Sequence, residues 1–188
     1  LSVDENLFLI PSDDQLDNVQ DYLANSGMGA MLLKKRLESM ASTFKFCIID
    51  APPQRSQISL TVIGAADLIA IPAEASVKGY GSLIRTVDLI RDLQASGATN
   101  AEIIGVIPFR DRFIGNNQSI TSKDAINAMK EEVGSGLILS SIMESERYKQ
   151  AINQRKMLAE LGFPDLERPR QDLLSKILLD RGEKEWLA

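Results

Sequence analysis

An aspartate stands where an apolar run stops. Phe46-Cys47-Ile48-Ile49 reads as a strand covered on both faces, and Asp50 is the first polar residue beyond it. A carboxylate at that point can hold a water on Mg²⁺ or orient a nucleophilic water beside a phosphate. Pro52 and Pro53 then fix the chain as it turns away, which keeps the carboxylate in place. Gln54 and Arg55 follow, polar side chains suited to a phosphate or a partner subunit. The same aspartate can equally do no more than cap the next turn. Other chemistries are closed off. The 188 residues include no histidine, which excludes Ser–His triads, histidine bases and His-ligated zinc. The single Cys47 excludes a disulfide framework and an all-cysteine metal site within one chain. What remains is chemistry run by carboxylates, lysine and arginine, backbone dipoles or an added metal. The net charge of −5 argues against a uniformly basic nucleic-acid coat and leaves room for a local basic patch.

The elements that must position Asp50 follow from hydrophobic patterning. Strands are expected at Asn6 to Ile10, Phe44 to Asp50, Asp67 to Ile71, Glu102 to Pro108 and Leu137 to Ile142, each apolar without alternation. Helical periodicity predicts Asp13 to Ala24 and Met28 to Ala41, broken at Gly27 to Gly29. It also predicts Val77 to Gln94, Ser122 to Val133, Glu146 to Leu161 and Gln171 to Asp180. Ser12 and Ser122 sit where N-caps belong, and Gly97 and Gly162 where helices should stop. Strands alternating with covering helices imply an α/β fold, an open, mostly parallel, doubly wound sheet. In such sheets ligands sit outside the carboxyl ends of the strands, so function is sought just after each one. Cys47 is expected buried in mid-strand, and Asp67 to act as a cap. The start at Leu1 in mid-architecture, without a signal-peptide pattern, suggests a piece of a longer protein. No apolar run approaches the ~20 residues of a membrane helix.

The strand ends also carry a resemblance. CIIDAPPQ, then AADLIAIPAEASVKG, then IIGVIPFRDRF resemble the ParA/MinD family of deviant-Walker P-loop ATPases. The opening NLFLIPSDDQL and the closing SSIMESERYKQAINQRK match further segments of that pattern in the same order. The family's glycine-rich phosphate loop, whose backbone N–H groups surround the phosphates, is nowhere in the sequence. The resemblance therefore implies the C-terminal portion (residues 1–188) of one P-loop NTPase domain, inactive by itself. Cofactors implied are ATP and Mg²⁺, the latter on Asp50 through water. Pro52 and Gln54 fall at the phosphate side. Pro108, Phe109, Arg110, Met143 and Glu144 fall where relatives hold adenine, a flat base needing apolar faces and a few edge hydrogen bonds. In the subfamily that distributes carboxysomes (McdA-type) the signature lysine is absent from the phosphate loop. Lys78, opening a helix beside Gly79 and Gly81, is the candidate for that charge acting in trans; an ordinary solvated lysine is the plain alternative.

By the same resemblance the partners are a second copy in an ATP-dependent sandwich, non-specific DNA, and a ParB-like or McdB-like stimulating adaptor. Residence is in the cytoplasm, on the nucleoid. Arg147, Lys149, Arg155 and Lys156 on one helical stretch are the DNA-binding candidates, against the reading of a solvated helix face. The terminal apolar stretch around Leu173, Leu174, Ile177 and Leu178 lacks a Lys/Arg-rich polar face, so membrane binding is not expected. The function implied is an ATP-hydrolysing switch that positions a cargo: carboxysome, plasmid or chromosome. An ATP-dependent ligase similar to dethiobiotin synthetase and a nucleotide-dead adaptor are the competing readings.

Overall fold

Two compact units divide the chain, residues 1–66 with 93–101 and residues 67–92 with 102–188. The computed structural model describes residues 1–26, 28–52 and 56–180. Gly27, Pro53, Gln54 and Arg55 lie outside the described residues, as do residues 181–188.

The first unit is largely helical. Strands β1 (Ser2–Asp4) and β2 (Leu7–Phe8) form a small antiparallel hairpin that turns at Asn6, φ 65°. The strand expected over Asn6 to Ile10 is thus only two paired residues in a local hairpin, because its partner is the preceding chain. Helices α1 (Leu16–Asn25) and α2 (Gly29–Glu38) correspond to the expected pair, α1 running one residue past Ala24. Ser12 is not the cap of α1, which begins after Gln15; Asp13 Oδ1 accepts from the Gln15 N–H at 2.9 Å. Helix α3 (Gln57–Ala65) was not legible as a helix, since ISLTVIGA is rich in β-branched residues and has no amphipathic stripe. It forms because Ser56 caps it, accepting from Ser59 N–H at 3.2 Å, and because α2 lies against it. Thr61 Oγ1 accepts from Leu33 N–H at 3.2 Å, and a Cβ on Gly64 would come within 2.9 Å of the Ala30 carbonyl carbon. So close an approach requires glycine.

The expected strand Phe44 to Asp50 is corrected by the structure: residues 44–50 are irregular and pair with no strand among the described residues. Apolar content alone does not make a strand; an extended segment needs a neighbouring ladder for its N–H and C=O groups. Without one, Ile48 is 94% exposed, and Cys47, expected in the core, is also exposed.

In the second unit the expected parallel sheet is present. Strands β3 (Leu68–Glu74) and β4 (Glu102–Asp111) run parallel, from Leu68 opposite Glu102 to Glu74 opposite Phe109. Both extend three residues further than the pattern predicts. Pro72 is tolerated in the ladder because β3 is an edge strand of this sheet. Helix α4 (Val77–Ala95) follows β3 and ends at Gly97, φ 73°, as expected. After β4 comes a short hairpin, β5 (Phe113–Ile114) and β6 (Asn117–Gln118), turning at Gly115, φ 62°. Helix α5 (Ile120–Val133) is capped by Ser119, which accepts from Ser122 N–H at 3.2 Å; Ser122 lies inside the first turn and is buried.

Strand β7 (Ile142–Met143) pairs parallel with the end of β4, giving the order β3-β4-β7. Before it, only Ile138 bridges to Val106, so the expected strand Leu137 to Ile142 is interrupted, and Leu137 closes a 3₁₀ turn. Helix α6 (Glu146–Gln154) is shorter than its periodicity suggests. Arg155 adopts φ 51° and its N–H returns to the Ala151 and Ile152 carbonyls, which ends the helix. A 3₁₀ turn at Pro164–Glu167 leads into α7 (Arg168–Asp180). Ile71, Leu83, Val87, Ile90, Val106, Ile126, Met129 and Leu178 are among the buried apolar residues of this unit. No helix among the described residues is long and apolar enough to cross a membrane.

Candidate functional site

Parallel pairing brings three strand ends together. Glu74 stands opposite Phe109, and Asp111 opposite Met143, so the carboxyl ends of β3, β4 and β7 form one edge of the second unit. The expected residues Phe109, Arg110, Met143 and Glu144 are therefore neighbours, as sheet logic requires.

Lys78 is held at the same edge by the start of α4. The strand ends at Glu74, and Ser76 caps the helix by accepting from Gly79 N–H at 3.1 Å. A Cβ on Gly79 would lie 2.7 Å from the Glu74 carbonyl carbon and 2.8 Å from its nitrogen, so glycine lets the helix start tight against the strand end. Lys78 is exposed and has no ion pair or hydrogen bond among the described residues. A cation in a first helical turn costs about 0.3–1 kcal/mol against the helix dipole. Nothing on its own helix offsets that.

At the end of β4 the ladder carries a bulge. The register slips between Phe109 and Asp111, and Arg110, φ 53°, is the residue left over. Arg110 turns outward, its guanidinium 3.9 Å from Glu74. Arg112 pairs with Glu144 through hydrogen bonds of 2.8 and 3.4 Å. The Glu144 N–H also donates to the Asp111 carbonyl at 2.9 Å, which ties the two turns together. Pro108 is buried at the strand end. Phe109 is half-buried and Met143 exposed.

The residue that sequence reasoning passed over is Asp111, 2% exposed. Gln118 Nε2 donates to both of its oxygens at 2.9 Å, and Ser141 Oγ donates at 2.6 Å. The signal was present: Ile114-Gly115-Asn116-Asn117 has the residues of a tight hairpin turn, which folds Gln118 back onto the strand end.

Asp50 and Pro52 belong to the first unit, and both are exposed. The Pro52 carbonyl accepts from Ser59 Oγ at 3.3 Å, which anchors the stretch after Asp50 to the start of α3. Gln54 lies outside the described residues. Among the described residues no cluster of three His, Cys, Asp or Glu side chains can cage a metal. A lone carboxylate suits Mg²⁺, which keeps several waters and leans on substrate phosphates.

The basic residues near α6 are unequal. Lys149 is paired with Glu146 at 2.8 Å, and Arg147 donates to Gln150 at 3.0 Å with its guanidinium 4.5 Å over the Phe163 ring. Arg155 and Lys156, just past the helix, carry no ion pair among the described residues. Below them Glu167 is buried and accepts from Ala159 N–H at 3.0 Å and from Arg170 at 2.7 Å. The backbone bond first, and Arg170 after it, hold its carboxyl below the usual range, against the opposing effect of burial. Burial pushes the Tyr148 phenol up, while its hydroxyl donates to the Leu166 carbonyl at 3.1 Å.

Comparison with known proteins adds the following. Residues 2–102, more than half of the chain, match a family described as AAA domain (AAA_31). The chain is 58% identical over 164 residues to "Maintenance of carboxysome distribution protein A" of Gloeothece citriformis, covering 87% of this chain and 64% of that one. It is 49% identical over 176 residues to the protein of the same name from Synechococcus elongatus, covering 94% and 70%. The sporulation initiation inhibitor protein Soj of Bacillus subtilis is 29% identical over 90 residues, 46% of this chain and 36% of Soj. Among solved structures, the ATP complex of an Asp→Ala variant of Cyanothece McdA superposes with a TM-score of 0.90 at 54% identity, covering 93% of this chain and 67% of that one. The apo form of a Cyanothece McdA gives 0.86 at 55%, covering 90% and 68%. The chain thus spans about two thirds of the length of these relatives.

Proposed function

This chain belongs to the McdA family of ParA-like proteins, and on that premise we propose that the complete protein is an ATP-dependent switch that positions carboxysomes. ATP binds between two copies, and the dimer holds DNA without sequence preference. Hydrolysis, stimulated by a ParB-like or McdB-like adaptor, releases it in the cytoplasm over the nucleoid.

Each residue has a share in that cycle. These 188 residues contain no glycine-rich phosphate loop, so the phosphate cradle is not assigned to any of them. Asp50 holds a water of Mg²⁺, which when bound neutralises phosphate charge. Pro52, whose carbonyl accepts from Ser59 Oγ, and Gln54 fall on the phosphate side by resemblance to the family. Lys78 supplies a positive charge to the partner's phosphates, and the rigid turn formed by Ser76 and Gly79 presents it. Phe109 and Met143 give apolar surface to adenine, and Arg110 and Glu144 polar groups at its edge. DNA binding falls to Arg155 and Lys156, which carry no ion pair among the described residues, with Arg147 and Lys149 contributing less. Two copies double that patch, which is how a net-acidic protein holds DNA.

The observation that carries this reading is the shared edge: Lys78, with no ion pair among the described residues, on a capped turn beside three adjacent strand ends. The test is Lys78→Ala in the full-length protein, followed by light scattering with and without ATP. The expected result is a variant that still binds ATP and stays monomeric. An ATP-dependent dimer as abundant as in wild type removes the role of Lys78.

A further inference from the structure

A buried carboxylate is an expensive way to fill space. Burial disfavours the charged form unless hydrogen bonds compensate, and an apolar side chain of similar volume packs at lower cost. Asp111 is buried with no cationic partner among the described residues; its nearest arginines in sequence are engaged elsewhere, Arg110 with Glu74 and Arg112 with Glu144. What an ionised carboxylate supplies is an acceptor-only group that several donors can share. Here the donors come from two separate segments: Gln118 from the β5–β6 hairpin and Ser141 from the approach to β7. The Asp111 backbone adds a third link, its carbonyl accepting from Glu144 N–H at 2.9 Å.

The bulge serves the same arrangement. A non-glycine residue at positive φ is strained, and Arg110, φ 53°, bears that strain. The extra residue re-aims the chain so that Arg110 faces out and Asp111 faces in. Strain placed one residue before a buried acid at a strand end is the kind of conflict that proteins keep where position matters more than stability.

We propose that Asp111 is a positioning residue for the nucleotide base, setting the spacing between the Phe109–Arg110 turn and the Met143–Glu144 turn by binding Gln118 and Ser141 at once. The inference rests on the adenine reading of these strand ends. Asp111 itself touches no base. It fixes where Phe109 and Met143 stand, so its loss widens or skews the slot and leaves the phosphate side alone.

The experiment measures binding of ATP and of inorganic tripolyphosphate, each with Mg²⁺, to the full-length protein by calorimetry. Wild type, Asp111→Asn and Ser141→Ala are compared. Tripolyphosphate has the phosphates and no base, so the ratio of the two affinities reports the slot alone. For Asp111→Asn, ATP affinity falls roughly tenfold, as expected for disturbed hydrogen bonds to a charged group, while tripolyphosphate stays within about twofold. Ser141→Ala removes one of the bonds, spares the bonds from Gln118, and lowers the ratio by a smaller factor. Equal weakening of both ligands in the variants overturns the proposal, since a merely structural role lowers both together. An unchanged ratio in both variants overturns it too. Should wild type itself fail to prefer ATP over tripolyphosphate, the adenine reading falls first and this inference falls with it.

Discussion

Gly79→Ala tests the geometry that presents Lys78. The added Cβ would lie 2.7 and 2.8 Å from backbone atoms of Glu74, and closer still to its carbonyl oxygen. Ordinary non-bonded carbon separations are about 3.5–4.0 Å, so the first turn of α4 must retreat by roughly 1 Å. Overpacking of this kind costs about 1–3 kcal/mol. The better helix propensity of alanine returns about 1 kcal/mol, leaving a net loss of up to about 2 kcal/mol. With a urea slope near 2 kcal/mol/M, the unfolding midpoint falls by up to about 1 M. Gly81→Ala is the control, because its nearest neighbour is the tip of Arg85 at 3.6 Å, and it should leave the midpoint unchanged or raise it. The displaced turn carries Lys78 with it, so ATP-dependent dimerisation weakens in Gly79→Ala and not in Gly81→Ala. Equal midpoints for the two variants would refute the argument that close approach at Glu74 fixes this turn.

The depressed carboxyl of Glu167 stabilises the fold above the ordinary glutamate range near pH ~4.3, and that contribution is lost as pH falls through its lower folded value. Glu167→Gln should therefore show a flatter loss of stability in acid, measured by thermal melts from neutral pH downward. On the basic patch, Lys156→Ala should weaken DNA retention alike on unrelated sequences and reduce the slope of log affinity against log salt by about 0.9 for each phosphate no longer neutralised. Arg155 occupies φ 51°, so Arg155→Gly removes its charge without straining the helix end and should lower the slope in the same way, read by filter binding across a salt series.

Legibility followed the source of each element's stability. The β3, β4 and α4 elements were readable because their apolar runs and caps are local, and the sheet that pairs β3 with β4 lies within the chain. Residues 44–50 read as a strand from composition and are irregular, since strand formation depends on a neighbour that composition does not reveal. Helix α3 was missed for the converse reason: its β-branched sequence is overridden by the Ser56 cap and the close packing of Gly64 on α2. That Lys78 and the turns at Phe109 and Met143 stand just beyond strand ends was legible from the apolar runs before them. Pro108 is buried at the strand end, which its place after an apolar run does not by itself reveal. Asp111 was passed over because its partners Gln118 and Ser141 are distant in sequence and meet only when the hairpin folds back.

The central claim is a nucleotide-controlled hold on DNA, and one measurement addresses it directly. Full-length protein is followed on immobilised non-specific DNA while ATP turnover is measured with and without that DNA. Retention that requires ATP, with slow turnover, is the predicted result. Fast turnover indifferent to DNA, or retention unaffected by ATP, contradicts it.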